Sequence, residues 1–380
     1  MNPPTTDFFA NRLLTGAARS AYCSGREVDA ATCYAESAER SREHRNVAAE
    51  MEAKRWQGNS LMWSARHEKA LQVLLEVATC DHPEADPASV FGAKTDCIML
   101  ALFHAQASAC RALIDQAAQY LAVIGKTHWR HRLDLLTCML LMKQGRFPEA
   151  AAAIAPAYRL AREATDGPKY TDFAYLKWTT RPAFFMRQEE VLAHWENIGA
   201  KTSFVMLSDR LRLSCIRLCR ERLRRAAGIE SPALLEEAQQ AAKSAGESRH
   251  LWDETFDIAR ALLLAGDMDT IARLPISQIN LYPFERAAFE ADLQINLLRR
   301  GLNLPPWDSE LNWPEAVSLD KQDAPGSLFP LEQLKTALRK LRAEASREDE
   351  RMETKSCTIA TARRVEHVAK LLPWINFGHL

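Results

Sequence analysis

The chain has 380 residues, with 49 Lys plus Arg balanced by 49 Asp plus Glu and 47% hydrophobic side chains. Zero formal net charge supplies no global field toward nucleic acid or an anionic membrane, and the hydrophobic content excludes wholesale disorder. One ordinary core does not extend over such a length unless the architecture repeats in one dimension.

The opening segment, MNPPTTDFFANRLL, has no basic stretch leading into a long apolar core, so a secretory signal is not expected. No run of about twenty apolar residues occurs, and no membrane span is expected. The cysteines are Cys23, Cys33, Cys80, Cys97, Cys110, Cys138, Cys215, Cys219 and Cys357. Their odd number and their scatter through Ala/Leu-rich stretches suit buried thiols in a reducing compartment better than a disulfide framework. The expectation is a cytoplasmic protein.

A forty-residue echo organises the first half: Ala30, Ala70, Cys110 and Ala150 recur at that spacing, and Val191 follows one residue late. Four positions after each stands a large apolar residue, namely Tyr34, Leu74, Ile114, Ile154 and Trp195. A period of this size marks stacked helical hairpins, each too small to bury its apolar face alone.

The first hairpin carries Ala18, Gly25, Ala30 and Tyr34, with Glu27 in the first turn of its second helix. The second has Gly58, His67, Ala70 and Leu74, and the third has Ile98, Cys110, Ile114 and Ala117. The fourth is the clearest. Leu135, Leu136, Met139, Leu140 and Met142 recur at helical spacing and end at Gly145, a residue suited to leaving a helix. Phe147 and Pro148 then open a second helix with Ala150, Ala151, Ile154 and Ala157 on its inner face. Small residues let paired helices approach closely, and the bulky one fills the groove between hairpins.

This pattern resembles the tetratricopeptide repeat: a small residue on the first helix, a turn, an aromatic, then alanine, a bulky residue and alanine. In the fourth hairpin those slots fall on Cys138, Gly145, Phe147, Ala150, Ile154 and Ala157. The resemblance implies an all-α, right-handed α-solenoid of about seven antiparallel helix pairs, whose first helices line a concave groove. The period exceeds the family's usual length of about 34 residues, so longer helices or loops are implied.

The fifth hairpin, around Phe184 to Ile198, keeps Val191 and Trp195. A sixth runs from Met206 through LLEEAQQAAKSAG with a longer turn near Gly228, and a seventh holds Ala259, Leu262 and Gly266 before Pro275 cuts its second helix short. Residues 80–89 and 165–172 are polar, Pro-bearing joints. The array is thus expected over 1–300. A connector over 301–330 contains Pro305, Pro306, Pro314 and Pro325. Helices over 331–380, one striped by Leu331, Leu334, Leu338 and Leu341, are expected to cap the array or to join two copies as a dimer.

No phosphate loop, dinucleotide fingerprint, HExxH or GxSxG motif is present, so a non-enzyme without cofactor is favoured. His128, His131 and Asp134 form a possible metal-ligand row of spacing three. The commoner reading is a polar helix start with Thr127 as N-cap. Cys215 and Cys219 share a helix face among arginines; packed apolar cysteines are the commoner reading there too.

The most pointed local feature is the Arg-rich helix over 207–225. Arg210, Arg217 and Arg224 recur every seven residues with Arg220 close to the row, while Arg212, Arg222 and Arg225 add charge around the flank. An arginine ridge in a groove suits a carboxylate, a phosphate or an acidic peptide. The alternative is a solvated face paired with acids such as Glu221, Glu230, Glu236 and Glu237. The tetratricopeptide carboxylate clamp places a basic residue and an asparagine one turn apart; Arg55 and Asn59 fit, with Arg19 nearby. The next repeat offers Gly92 and Asp96 instead of the basic residues the clamp needs.

The resulting expectation is a binding scaffold or regulatory receptor that captures a peptide or protein segment in a partly Arg-lined groove. The alternatives are nucleic-acid or nucleotide binding through the Arg-rich helix, and a helical enzyme or accessory subunit using His128, His131 and Asp134. Sparse lysine and zero net charge disfavour the nucleic-acid reading.

Overall fold

In a computed structural model, the residues described are 5–163 except 65, 105 and 106, then 178, 180–200, 207–229, 231–248, 254–278, 283–301, 304–308, 310–311, 339, 340 and 343. Every regular element among them is helical. The C-terminal helices expected over 331–380, whether capping or dimerising, lie outside the described residues apart from those last three positions, and so does Cys357. Of the connector, 304–308 and 310–311 are described. The chain forms two compact units. The first contains residues 1–182 and 202–210, the second 183–201 and 211–318, with the remaining residues shared between them.

Unit 1 holds four helix pairs: α1 (Thr5–Cys23) with α2 (Glu27–Glu43), α3 (Val47–Trp63) with α4 (His67–Ala78), α5 (Pro87–His104) with α6 (Ala107–Val123), and α7 (Arg130–Lys143) with α8 (Phe147–Glu163). Each helix packs against its chain neighbour, and the first helices α3, α5 and α7 also touch in succession. That second set of contacts is what stacking of hairpins requires.

One turn recurs between these helices. After α7, the Gly145 amide donates to the Met142 carbonyl at 3.0 Å and the Arg146 amide to the Leu141 carbonyl at 2.9 Å. This is the Schellman pattern, and it needs a left-handed residue, here Gly145 at φ 71°. The same pair of bonds closes α1 at Gly25 and α2 at Arg45, where φ is 56° although the residue carries a Cβ. Helices α2, α3, α6 and α8 each have 17 residues. A 17-residue helix followed by a three-residue turn repeats every twenty residues, so a pair repeats every forty.

The echoed positions are the ones that fill the inter-helix grooves. Ala30, Ala70, Leu74, Cys110, Ala150 and Ile154 are fully buried, as is Cys138. At Gly58 an added Cβ would lie 2.6 Å from Leu74 Cγ, so the missing side chain is the slot that Leu74 occupies. Tyr34 stacks on Trp56 at 6.2 Å between ring centroids, and Tyr22 meets the same indole edge-on at 5.8 Å. Caps mark the helix starts: Asn46 accepts the Ala49 amide, and Asp86 accepts those of Ala88 and Ser89 with Pro87 in the first turn.

Unit 2 contains α9 (Glu189–Ala200), most of α10 (Leu207–Ala226), α11 (Ala233–Ser248), α12 (Glu254–Ala265), α13 (Met268–Arg273) and α14 (Pro283–Gly301). Helix α12 is buried from Glu254 to Leu264 and packs against α11, α13 and α14. The fifth hairpin corrects the expected register. Leu192 is the fully buried residue, whereas Val191 and Trp195 are only half-buried. The echo loses phase across the joint before α9, where helix rotation no longer matches the earlier spacing. The turns at Gly228 and Gly266 again take positive φ, at 77° and 92°. Helix α13 has only six residues and gives way to a 3-10 turn at Pro275–Gln278.

Two expected outcomes test the packing logic by thermal and urea unfolding. Gly145→Ala should lose about 1–2 kcal/mol, the cost of holding a Cβ in the left-handed region, while Arg45→Gly should gain up to about 1 kcal/mol. Gly58→Val should lose about 1–3 kcal/mol by driving a side chain into Leu74, and Gly58→Val/Leu74→Ala should recover part of that loss.

Candidate functional site

The first helices of unit 1 carry a polar row across their shared side. Arg55 on α3 donates from Nε to Asp96 Oδ2 on α5 at 3.2 Å, and Asn59 also bonds that carboxylate. Tyr22 on α1 donates its hydroxyl to Asn59 Oδ1 at 2.9 Å. A Cβ at Gly92 would sit 2.8 Å from Arg55 Nε, so this glycine gives the guanidinium its passage. Burial raises Asp96 above the usual carboxylate range, although the Arg55 charge acts in the opposite direction. The structure therefore brings Arg55 and Asn59 together, with the chain's own carboxylate between them. Arg19 is exposed on α1, and its charge acts on the Tyr34 hydroxyl, whose pKa burial pushes up to about 12.

His128 lies in a 3-10 turn that leads into the helix carrying His131 and Asp134. Residues Thr127–Trp129 make a 3-10 turn, and α7 begins at Arg130 with Trp129 in the cap position and no side-chain cap bond. This corrects the expected Thr127 N-cap, because the regular helix starts later than the sequence suggests. Buried His131 directs Nδ1 at the His128 carbonyl at 2.8 Å, and Asp134 accepts from Arg130 at 3.4 Å. Among the described residues, no three His, Cys, Asp or Glu side chains form a group that could hold a metal ion. Burial lowers the His131 pKa, opposed by the bond to the His128 carbonyl.

Along α10 the arginines divide by face. Arg217 donates to Glu196 at 3.2 Å and lies 3.9 Å from Glu237; Arg220 reaches Glu189 at 2.6 Å and Glu196 at 3.2 Å. Arg224 pairs with Glu221 at 3.2 Å. Arg217, Arg220 and Arg224 are thus already met by carboxylates of α9, α10 and α11. The backbone of Arg210 belongs to the helix, but its side chain lies outside the described residues. At about 100° per residue, Arg222 points away from this row. Arg212 shares the buried side and donates to Glu254 at 3.3 Å. Cys215 and Cys219 are packed there as well, with Cys215 Sγ 3.7 Å from the Glu254 carbonyl.

The most strongly built charge cluster is one that spacing did not single out. Arg222, 1% exposed, forms a fork with Asp308: Nε to Oδ2 at 2.8 Å and Nη2 to Oδ1 at 2.7 Å. Its Nη2 also lies 2.6 Å from Glu310 Oε2, while Arg260 on α12 lies 3.7 Å from the other Glu310 oxygen. Arg260 is 4.0 Å from Asp292 on α14. Phe184 backs the Arg222 guanidinium, 4.7 Å from its ring centroid. Burial pulls the Arg222 pKa down, but Asp308 and Glu310 outweigh it and hold the group well above its ordinary value.

The backbone that carries these two acids is gripped separately. Asn296 on α14 donates to the Trp307 carbonyl at 3.0 Å and accepts the Trp307 amide at 2.8 Å. Arg299 bonds the Pro305 carbonyl at 2.9 Å and Arg187 the Leu311 carbonyl at 2.7 Å. A stretch of irregular chain is therefore held across α10, α12 and α14 by two carboxylates and by its own peptide groups.

A scan against protein-family models and a search of curated proteins find no match to the chain. No helix among the described residues is long and apolar enough to cross a membrane.

Equilibrium urea unfolding separates the two sorts of arginine. Arg222→Met should cost about 3–5 kcal/mol because it strands Asp308 and Glu310 in the interior. Arg217→Ala, on the partly exposed face, should cost less than about 1 kcal/mol. His131 gives a pH test. Its folded pKa lies below the unfolded one, so the unfolded chain binds more protons at mildly acidic pH. Stability should fall as pH drops below about 6.5, and His131→Gln should flatten that part of the profile.

Proposed function

We propose that the chain is a binding scaffold or regulatory receptor that captures a peptide or protein segment on the side formed by the first helices of its hairpins. The observation that carries this reading is in unit 2, where residues 304–308 and 310–311 are held by peptide-group hydrogen bonds and by an arginine–carboxylate fork on α10. A surface that can grip one irregular acidic strand in this manner has the chemistry to grip another. The successive contacts of α3, α5 and α7 support stacking of the hairpins, and we take the stack to be a right-handed tetratricopeptide-like solenoid. The eight described cysteines are all free thiols, which supports a reducing, cytoplasmic setting.

Unit 1 offers less room for a carboxylate ligand, since Asp96 already takes the place between Arg55 and Asn59. The half-buried Arg217, Arg220 and Arg224 of α10 offer little to a polyanion for the same reason, being paired with Glu189, Glu196 and Glu221.

Selection of a displayed random-peptide library on the full chain, followed by photo-crosslinking of the enriched peptides, tests this function. Enriched peptides should crosslink to α3, α5, α10, α12 or α14. Failure to enrich any peptide, or crosslinks confined to second helices, would sink the scaffold reading.

A further inference from the structure

Resting on that scaffold reading, we infer that residues 304–308 and 310–311 are an intrachain ligand. They occupy a site in unit 2 that takes an acidic segment of a partner protein carrying two carboxylates one residue apart. The grip has two parts. Asn296, Arg299 and Arg187 bond only peptide groups of the segment, so they accept any chain following the same path. Arg222 and Arg260 read carboxylates, which in this chain are Asp308 and Glu310.

The receiving groups are supported by their own helices. Asn296 is tied to the Asp292 carbonyl and carboxylate at 3.0 and 3.2 Å, and Arg222 is backed by Phe184. Such pre-organisation lowers what a ligand must spend on ordering its receptor. The resident segment also leaves the site incompletely satisfied. Arg222 Nη1 is buried and has no hydrogen-bond partner, although the other guanidinium nitrogens are bonded. An incoming acidic segment with one further acceptor at that nitrogen would bind better than the chain's own residues do. Separating the resident acids from Arg222 leaves a guanidinium that must regain carboxylates, so an acidic segment is the occupant able to displace them.

Occupation in cis then sets the affinity in trans. The segment begins at Leu304, close behind the end of α14 at Gly301, and a short tether raises its local concentration to roughly millimolar. A partner segment must outcompete that, and anything that loosens 304–311 opens the site.

The test uses a labelled, capped peptide, LPPWDSEL, with the full chain and with its Asp308→Asn/Glu310→Gln variant, read by fluorescence anisotropy. The variant should bind the peptide at least about tenfold more tightly than the wild type, and the peptide LPPWNSQL should lose that binding. Hydrogen exchange of the wild type with about 1 mM LPPWDSEL supplies the second measurement, at the effective-concentration scale of the tether. Exchange of the amides of 304–311 should accelerate while that of α12 does not. Equal peptide affinity for variant and wild type overturns the inference; so does unaltered exchange of 304–311, which decides the matter if the variant does not fold. Library-selected peptides that bind without disturbing 304–311 would overturn this inference alone. Absence of peptide binding from any source would remove the scaffold reading with it.

Discussion

A guanidinium taken out of water must be met by carboxylates, and in unit 2 that requirement ties together chain segments far apart in sequence. Arg222 sits in the interior of a helix layer, and the acids that meet it come from a stretch 86 residues further along. Once Asp308 and Glu310 are drawn in, the backbone between them has to follow, and its peptide groups need partners of their own. Asn296, Arg299 and Arg187 supply those partners. The described part of the connector after α14 is thereby held by charge and by main-chain bonding, and Leu311 joins an apolar cluster with Phe184.

The two units meet a guanidinium with carboxylates drawn from different places. In unit 1 the sides of adjacent first helices meet through an Arg55–Asp96 ion pair flanked by Asn59 and Tyr22, all carried by the hairpins themselves. In unit 2 Arg222 is met instead by Asp308 and Glu310, acids that arrive from the irregular chain after α14. A charge satisfied from within the array is a fixed part of the fold. One satisfied by a separate segment can in principle be satisfied by a different molecule, and this is why the functional proposals centre on α10, α12 and α14.

Much of the architecture is legible in sequence because the hairpin turn imposes local demands. A left-handed residue after each helix favours glycine, so Gly25, Gly145, Gly228 and Gly266 stand out, and the buried small residues follow at constant spacing. Arg45 and Arg187 take the same conformation with a side chain and give no such signal. The heptad of Arg210, Arg217 and Arg224 is conspicuous, yet conspicuous spacing records only which residues share a face. Arg222 looked like one more flanking charge because burial is decided by partners that no local pattern contains. Asp308 and Glu310 were similarly hidden in a proline-bearing stretch. Their only sequence signal is an acid pair flanked by the apolar Trp307 and Leu311.

The 17-residue helix and its tight turn also act as a ruler for changes in chain length. Helix α4 has only 12 residues, but the joint from 79 to 86 is longer, and α5 still begins forty residues after α3. Length lost from a second helix has been returned in a loop, leaving the first helices in phase. Insertions tolerated by this protein over evolutionary time should therefore accumulate in such joints, where they alter no rotation. A single residue added within α3 would turn everything beyond it by about 100° and face the wrong side chains inward.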